Sequence, residues 1–151
     1  MAARLQDLGI RTVCSSPLGR ALRTAVIIAD EIGADLVEVP ELAELHHGDM
    51  AGLTWAEIDE RHPGARAERA ENRYGWAFPG GESYAQARVR AQKALSACGW
   101  ESEGAPLLVA HEMIGRMLRA ELRSLGQAEA LALRHPQGVV LEIDRGAERV
   151  L

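Results

Sequence analysis

The chain is poor in the features that mark secreted, membrane-bound or nucleic-acid-binding proteins. It holds two cysteines, Cys14 and Cys98, without framework spacing, which points away from a disulfide scaffold and toward a reducing, cytoplasmic compartment. No apolar run approaches the ~20 residues of a membrane span, and the first residues lack the apolar core of a signal peptide. A net charge of -5 leaves no basic excess of the kind nucleic acid or an anionic membrane requires. Lysine is almost absent: Lys93 is the only one among 17 basic residues. The positive charge is therefore nearly all guanidinium, which suits planar recognition of oxyanions, although a GC-rich genome produces the same bias. There is no internal repeat and no low-complexity tract. What is there is 151 residues, 47% hydrophobic, enough for one domain over residues 1–151 with an adequate core.

Apolar runs and punctuation alternate in a strand–helix rhythm, which defines an α/β class. Leu5 and Leu8, spaced by three and followed by Gly9, read as the tail of a helix. Ile10–Ser15 is a strand and Pro17–Ile32 a helix closed by Gly33, with Ser16 as its cap and Pro17 at its first position. Asp35–Val39 is a second strand, ended by Pro40. Thr54 with Glu57, and Ser83 with Gln86, are capping boxes that open a short helix to Arg61 and a long one to Cys98. Between them, 64–81 is polar and aromatic and reads as an excursion over the sheet. Pro106–Ala110 is a continuous apolar run, the mark of a strand buried on both faces. A helix from His111 to Leu125, a short one over Ala128–Leu133, and a hairpin of Val139–Ile143 and Glu148–Leu151 complete the chain.

In open α/β sheets ligands sit beyond the carboxyl ends of the strands. The first strand delivers Ser15, Ser16 and Arg20 there. Arg20 and Arg23 fall in the first turns of a helix, where the dipole already carries about half a positive charge, so an anion is needed to balance them. The second strand leads into an acidic loop containing Glu44, and the buried run ends at His111. An arginine, a carboxylate and a histidine at one mouth suit phosphoryl transfer, in which equatorial oxygens are neutralised and a leaving oxygen is protonated. A metal site from His46, His47, Asp49 and His62 is disfavoured, because adjacent histidines diverge on an extended chain and no helical i, i+4 pair is present.

Four ordered segments carry a resemblance: Val-Cys-Ser-Ser-Pro-Leu-Gly-Arg at 13–20, Leu-Ala-Glu-Leu-His-His-Gly-Asp-Met-Ala-Gly-Leu-Thr at 42–54, Gly-Gly-Glu-Ser at 80–83 and Leu-Leu-Val-Ala-His at 107–111. Together they resemble the histidine phosphatase superfamily, whose best known branch is the cofactor-dependent phosphoglycerate mutases. The resemblance implies a three-layer α/β/α fold of the phosphoglycerate mutase type, with a mixed, mostly parallel sheet. It implies that Arg20 and His111 hold the phosphoryl oxygens with Ser15 beside them, and that Glu44 is the acid that protonates the leaving oxygen. It places Arg66, Arg69 and Arg73 where relatives carry a substrate-selecting lid. No cofactor or metal is implied, and the partner is a small phosphorylated metabolite or inorganic phosphate.

The family's nucleophile is the histidine of an Arg-His-Gly motif on the first strand, and these residues contain no such motif. The pair Arg134-His135 is followed by Pro136 and comes after the last helices. The resemblance puts the absent strand between the one ending at His111 and the closing strand Val139–Ile143. A slot with two unpaired apolar edges follows. Either the hairpin closes onto the buried strand, or a second chain fills the slot, as in a homodimer through exposed sheet edges, or the natural protein is longer, the reading we favour. As written, the chain is expected to lack turnover through phosphohistidine. The alternative is a non-catalytic phosphate-binding or interaction protein. Glu112, where relatives carry glycine, adds negative charge near the anion site unless it points away or pairs with Arg116.

Overall fold

The computed structural model describes residues 5–100 and 104–151. Its centre is a parallel sheet of three strands, β1 (Thr12–Ser15), β2 (Asp35–Glu38) and β3 (Leu107–Val109), in the order β2-β1-β3. The two-residue period of a strand divides β1 between two cores. Val13 joins Leu5, Ala25, Ile28 and Ala29 on one face, and Cys14 joins a larger cluster on the other. The same alternation sends Leu107 and Val109 to the first core and Leu108 and Ala110 to the second.

Helix α1 (Gly19–Ile32) covers the first face. It begins two residues later than the sequence suggests, with Leu18 in extended backbone at its N-cap. Ser16 does not cap it, because Ser16 is still tied into the sheet: its N–H donates to the Val109 carbonyl at 2.9 Å. Gly33 ends α1 in the left-handed conformation, as expected. The short helices α2 (Trp55–Arg61) and α3 (Ala65–Glu71) follow, then the long α4 (Tyr84–Ala97). Both capping boxes form, Thr54 with Glu57 and Ser83 with Gln86. Helix α3 lies within the stretch expected to be irregular; its Ala-Arg-Ala-Glu-Arg-Ala-Glu sequence has high intrinsic helicity that polarity concealed.

The second face is covered by α4 and by α5 (Glu112–Leu122). Ala87, Ala91 and Ala94 are fully buried, so α4 presents a small-residue face to the core, and Arg88 and Gln92 on α4 both bond Glu121 on α5. Helix α5 stops short of Leu125, where Ser124 takes a positive φ of 53°. After α6 (Gln127–Ala132), β4 (Leu141–Asp144) and β5 (Ala147–Val150) form a hairpin turned by Arg145 and Gly146 at φ 47° and 82°, the paired left-handed residues of a type I′ turn.

The layering is that of an α/β/α sandwich, but the hairpin forms its own two-stranded sheet and does not pair with β3. Closure of the hairpin onto the buried strand is thereby corrected. Between them lies a cavity of about 720 Å³, lined by Leu107 and Val109 of β3, Leu141 and Ile143 of β4, Ile28 of α1 and Leu118 of α5. The expectation that β3 is buried on both faces is corrected too: all three of its residues are only half-buried, because the cavity replaces a neighbour on one side. Val109 is bonded toward β1, so strand alternation turns the backbone groups of Leu108 and Ala110 toward the cavity.

Candidate active site

Arg20, Glu44 and His111 line one end of this cavity, where the carboxyl ends of the strands open. His111 follows β3, sits at the N-cap of α5 and is 6% exposed. Its Nε2 lies 2.8 Å from the Ser16 hydroxyl, so the turn after β1 fixes the imidazole. Ser15, also expected at the anion, is fully buried and turns its hydroxyl onto the Ser16 carbonyl at 2.9 Å. The pleat decides which of two adjacent serines meets the histidine, and composition gives no signal for it. Burial holds the His111 pKa below the usual histidine value, the Arg20 guanidinium pushes it the same way, and Glu44 opposes them.

The Glu44 carboxylate is docked on the first turn of α5. Its Oε1 accepts the N–H groups of Met113 and Ile114, each at 3.1 Å, and that of Leu45 at 2.8 Å. The Met113 and Ile114 donors belong to the first turn of a helix and have no intrahelical acceptor. The anion-receptive end of α5 is thus filled by an acid of the protein itself. Arg20 is exposed, and its guanidinium has no hydrogen-bond or ion-pair partner among the described residues. Glu112 pairs with Arg116 one turn on, which answers its charge locally.

Arg66, Arg69 and Arg73, expected from the resemblance to lie in a lid, do not line this cavity. Arg66 pairs with Asp59 at 2.8 Å and lies over the Trp55 ring, and Arg69 lies over Phe78. Arg73 is exposed. The His46 ring nitrogen accepts the Gly48 N–H, and His47 packs edge-on against Phe78. Among the described residues no group of three or more potential ligands gathers as for a metal ion.

Two features escaped sequence reasoning. His135 lines the same cavity, with its ring against Gly115: a Cβ there would stand 2.5 Å from the imidazole, so any larger residue at 115 pushes the ring from this position. Burial, then Arg119, keep this histidine below its usual pKa. Arg90, on α4, bonds the carbonyls of the Glu44 loop and has no neighbour in sequence that could reveal this.

Arg20, the Glu44 carboxylate on a helix N-terminus and the buried His111 thus stand together at the strand ends of an α/β/α sandwich. Residues 1–151 match the profile of the histidine phosphatase superfamily (branch 1), and the chain belongs to that family. Among curated relatives, a probable phosphoglycerate mutase GpmB of Enterobacter sp. (strain 638) is 37% identical over 112 residues, covering 74% of this chain and 52% of that one. The chain thus spans about half the length of the curated relatives it matches. Among solved structures, mycobacterial glucosyl-3-phosphoglycerate phosphatase Rv2419c in complex with inorganic phosphate superposes with a TM-score of 0.75 at 30% identity, covering 99% of this chain and 79% of that one. Bacillus stearothermophilus YhfR gives a TM-score of 0.78 at 25% identity, covering 99% and 76%.

Proposed function

We propose that the chain carries the phosphate-holding and proton-delivering part of a phosphomonoester-hydrolysing site. Arg20 supplies the planar fork for the equatorial oxygens, His111 a second donor, and Glu44 the proton for the leaving oxygen. The ligand is inorganic phosphate or a small phosphorylated metabolite. The observation that carries this reading is the convergence of Arg20, Glu44 and His111 on one cavity mouth, with the Arg20 guanidinium unpaired among the described residues. These 151 residues hold no Arg-His-Gly motif, so on their own they are expected to bind the ester, and turnover needs a nucleophile that they do not supply. The slot beside β3 leads to this mouth, and its free strand edges support association with a second copy of the chain.

The test is calorimetric titration with inorganic phosphate alongside an aryl phosphate hydrolysis assay. We expect binding that Arg20→Ala weakens by about 1.5–3 kcal/mol, the worth of a charge-assisted contact, with no hydrolysis. Unchanged affinity in Arg20→Ala overturns the anion site. Turnover through an acid-labile protein-bound phosphate overturns the absence of a nucleophile.

A further inference from the structure

Glu44 stands in irregular backbone, between 3-10 turns at Pro40–Leu42 and Gly48–Met50. Such a segment has no ladder to fix it, yet proton delivery needs a carboxyl held to within about half an ångström. The hold comes from α4. The Arg90 guanidinium donates through Nη1 to the carbonyls of Glu41 at 2.6 Å and Ala43 at 2.7 Å, and through Nη2 to that of Glu44 at 3.4 Å. The same fork engages the Glu82 carboxylate through Nε and Nη2. Glu82 in turn grips the far side of the loop: its carboxylate accepts the His46 N–H at 3.0 Å, and its own N–H donates to the His46 carbonyl at 2.9 Å. Glu44 is therefore bracketed by bonds at 41, 43, 44 and 46, all referred to one ion pair.

The pair is built to be rigid. Its side chains are only 22% and 17% exposed, so it escapes most of the screening that weakens surface pairs. Glu82 immediately precedes the Ser83 cap of α4, and Arg90 lies two turns into that helix, so both take their positions from the same frame. The next stretch of the loop is pressed onto the 79–81 segment. The backbone N–H of Asp49 donates to the Pro79 carbonyl at 2.8 Å, and a Cβ on Gly48, at φ +53°, would stand 1.8 Å from the same oxygen.

We propose that the Arg90–Glu82 pair is a positioning device for Glu44, setting its carboxylate against the first turn of α5 and hence against an anion held by Arg20 and His111. This rests on the proton-delivering role given to Glu44 above. A lysine at 90 cannot substitute, since three carbonyls and a carboxylate are met by donors in one plane.

Amide exchange in the full chain tests it. The N–H groups of Met113 and Ile114 depend on Glu44 for their acceptor, so their protection reports its placement. Arg90→Lys and Glu82→Gln are each expected to speed exchange at these two amides by about tenfold, with Glu44→Ala expected to do the same, while Leu118 and Arg119 in the same helix keep their rates. The chemical shift of the Glu44 side-chain carboxyl carbon, read by NMR at fixed pH, is expected to move in both variants. If Arg90→Lys does not fold, the isosteric Glu82→Gln carries the test. Unchanged rates at Met113 and Ile114 overturn the proposal, as does loss of protection along the whole of α5, which marks a general prop. Phosphate titration of the same samples separates the two readings: if Arg20→Ala binds phosphate as the parent does while the amide rates shift as expected, the positioning stands and the phosphate site falls.

Discussion

His111 shows how one side chain becomes responsive to an anion. Burial and the nearby Arg20 depress its pKa, so near neutral pH the imidazole is uncharged. A dianion placed between Arg20 and His111 favours the imidazolium, so binding takes up a proton. Affinity should then rise as pH falls. Sulfate is the better probe than phosphate, because it carries no titrating proton of its own in this range. Its affinity is expected to increase by about three- to tenfold from pH 8 to pH 6, measured by calorimetry, and His111→Gln is expected to flatten the profile. A flat profile in the parent chain removes His111 from the anion site. At this scale the sequence was informative about Arg20 and His111, because each closely follows an apolar run whose end is easy to see, whereas Glu44 stood out from Glu41 and Asp49 in its acidic loop only through the family resemblance. It was silent about Ser16 against Ser15, and about Arg90, whose carbonyl partners are 46 to 49 residues away.

At the scale of elements, capping boxes and punctuation placed α2 and α4 to within a residue, since those signals are local and the structure honours them. Contacts between elements are another matter. Arg119 on α5 is 7% exposed and meets Glu148 on β5 through Nε and Nη2, each at 2.7 Å, with Arg123 nearby. This pair fastens the hairpin to the helix layer, and nothing local in either segment announces it. The Arg119 hydrogen bonds are the main reason that the Glu148 carboxyl is held below the usual glutamate value. A carboxyl whose folded pKa is depressed contributes stability that is fully present above its unfolded value, about 4.3, and is lost as pH falls through the folded one. Glu148→Gln is therefore expected to destabilise by about 1.5–3 kcal/mol at pH 7, the worth of hydrogen bonds to a charged group, with the difference shrinking as the pH is lowered through the acid range. Urea unfolding at a series of pH values measures this, and a constant difference would falsify the pairing.

For the whole molecule, the governing fact is a sheet in two parts. The α/β class was legible from the alternation of patterns, while the three layers and a slot beside the strand that ends at His111 followed from the family resemblance. That the hairpin would stand apart from β3 was not legible, because pairing of distant strands depends on what lies between them. The slot leaves the backbone groups of Leu108 and Ala110 facing a cavity beside apolar walls, and Val139 at its rim is 37% exposed. Free edges next to apolar surface favour strand addition by another chain. The chain is accordingly expected to associate as its concentration rises, which sedimentation equilibrium reads as a growing mass. Val139→Lys places a charge at the rim without touching β1, Arg20 or His111, and lysines at strand edges oppose edge-to-edge pairing. That variant is expected to stay monomeric at concentrations where the parent chain does not, with phosphate affinity unchanged. Equal association of the two chains would mean that the contact lies elsewhere, and a parent chain monomeric throughout would mean that the slot does not recruit a second copy.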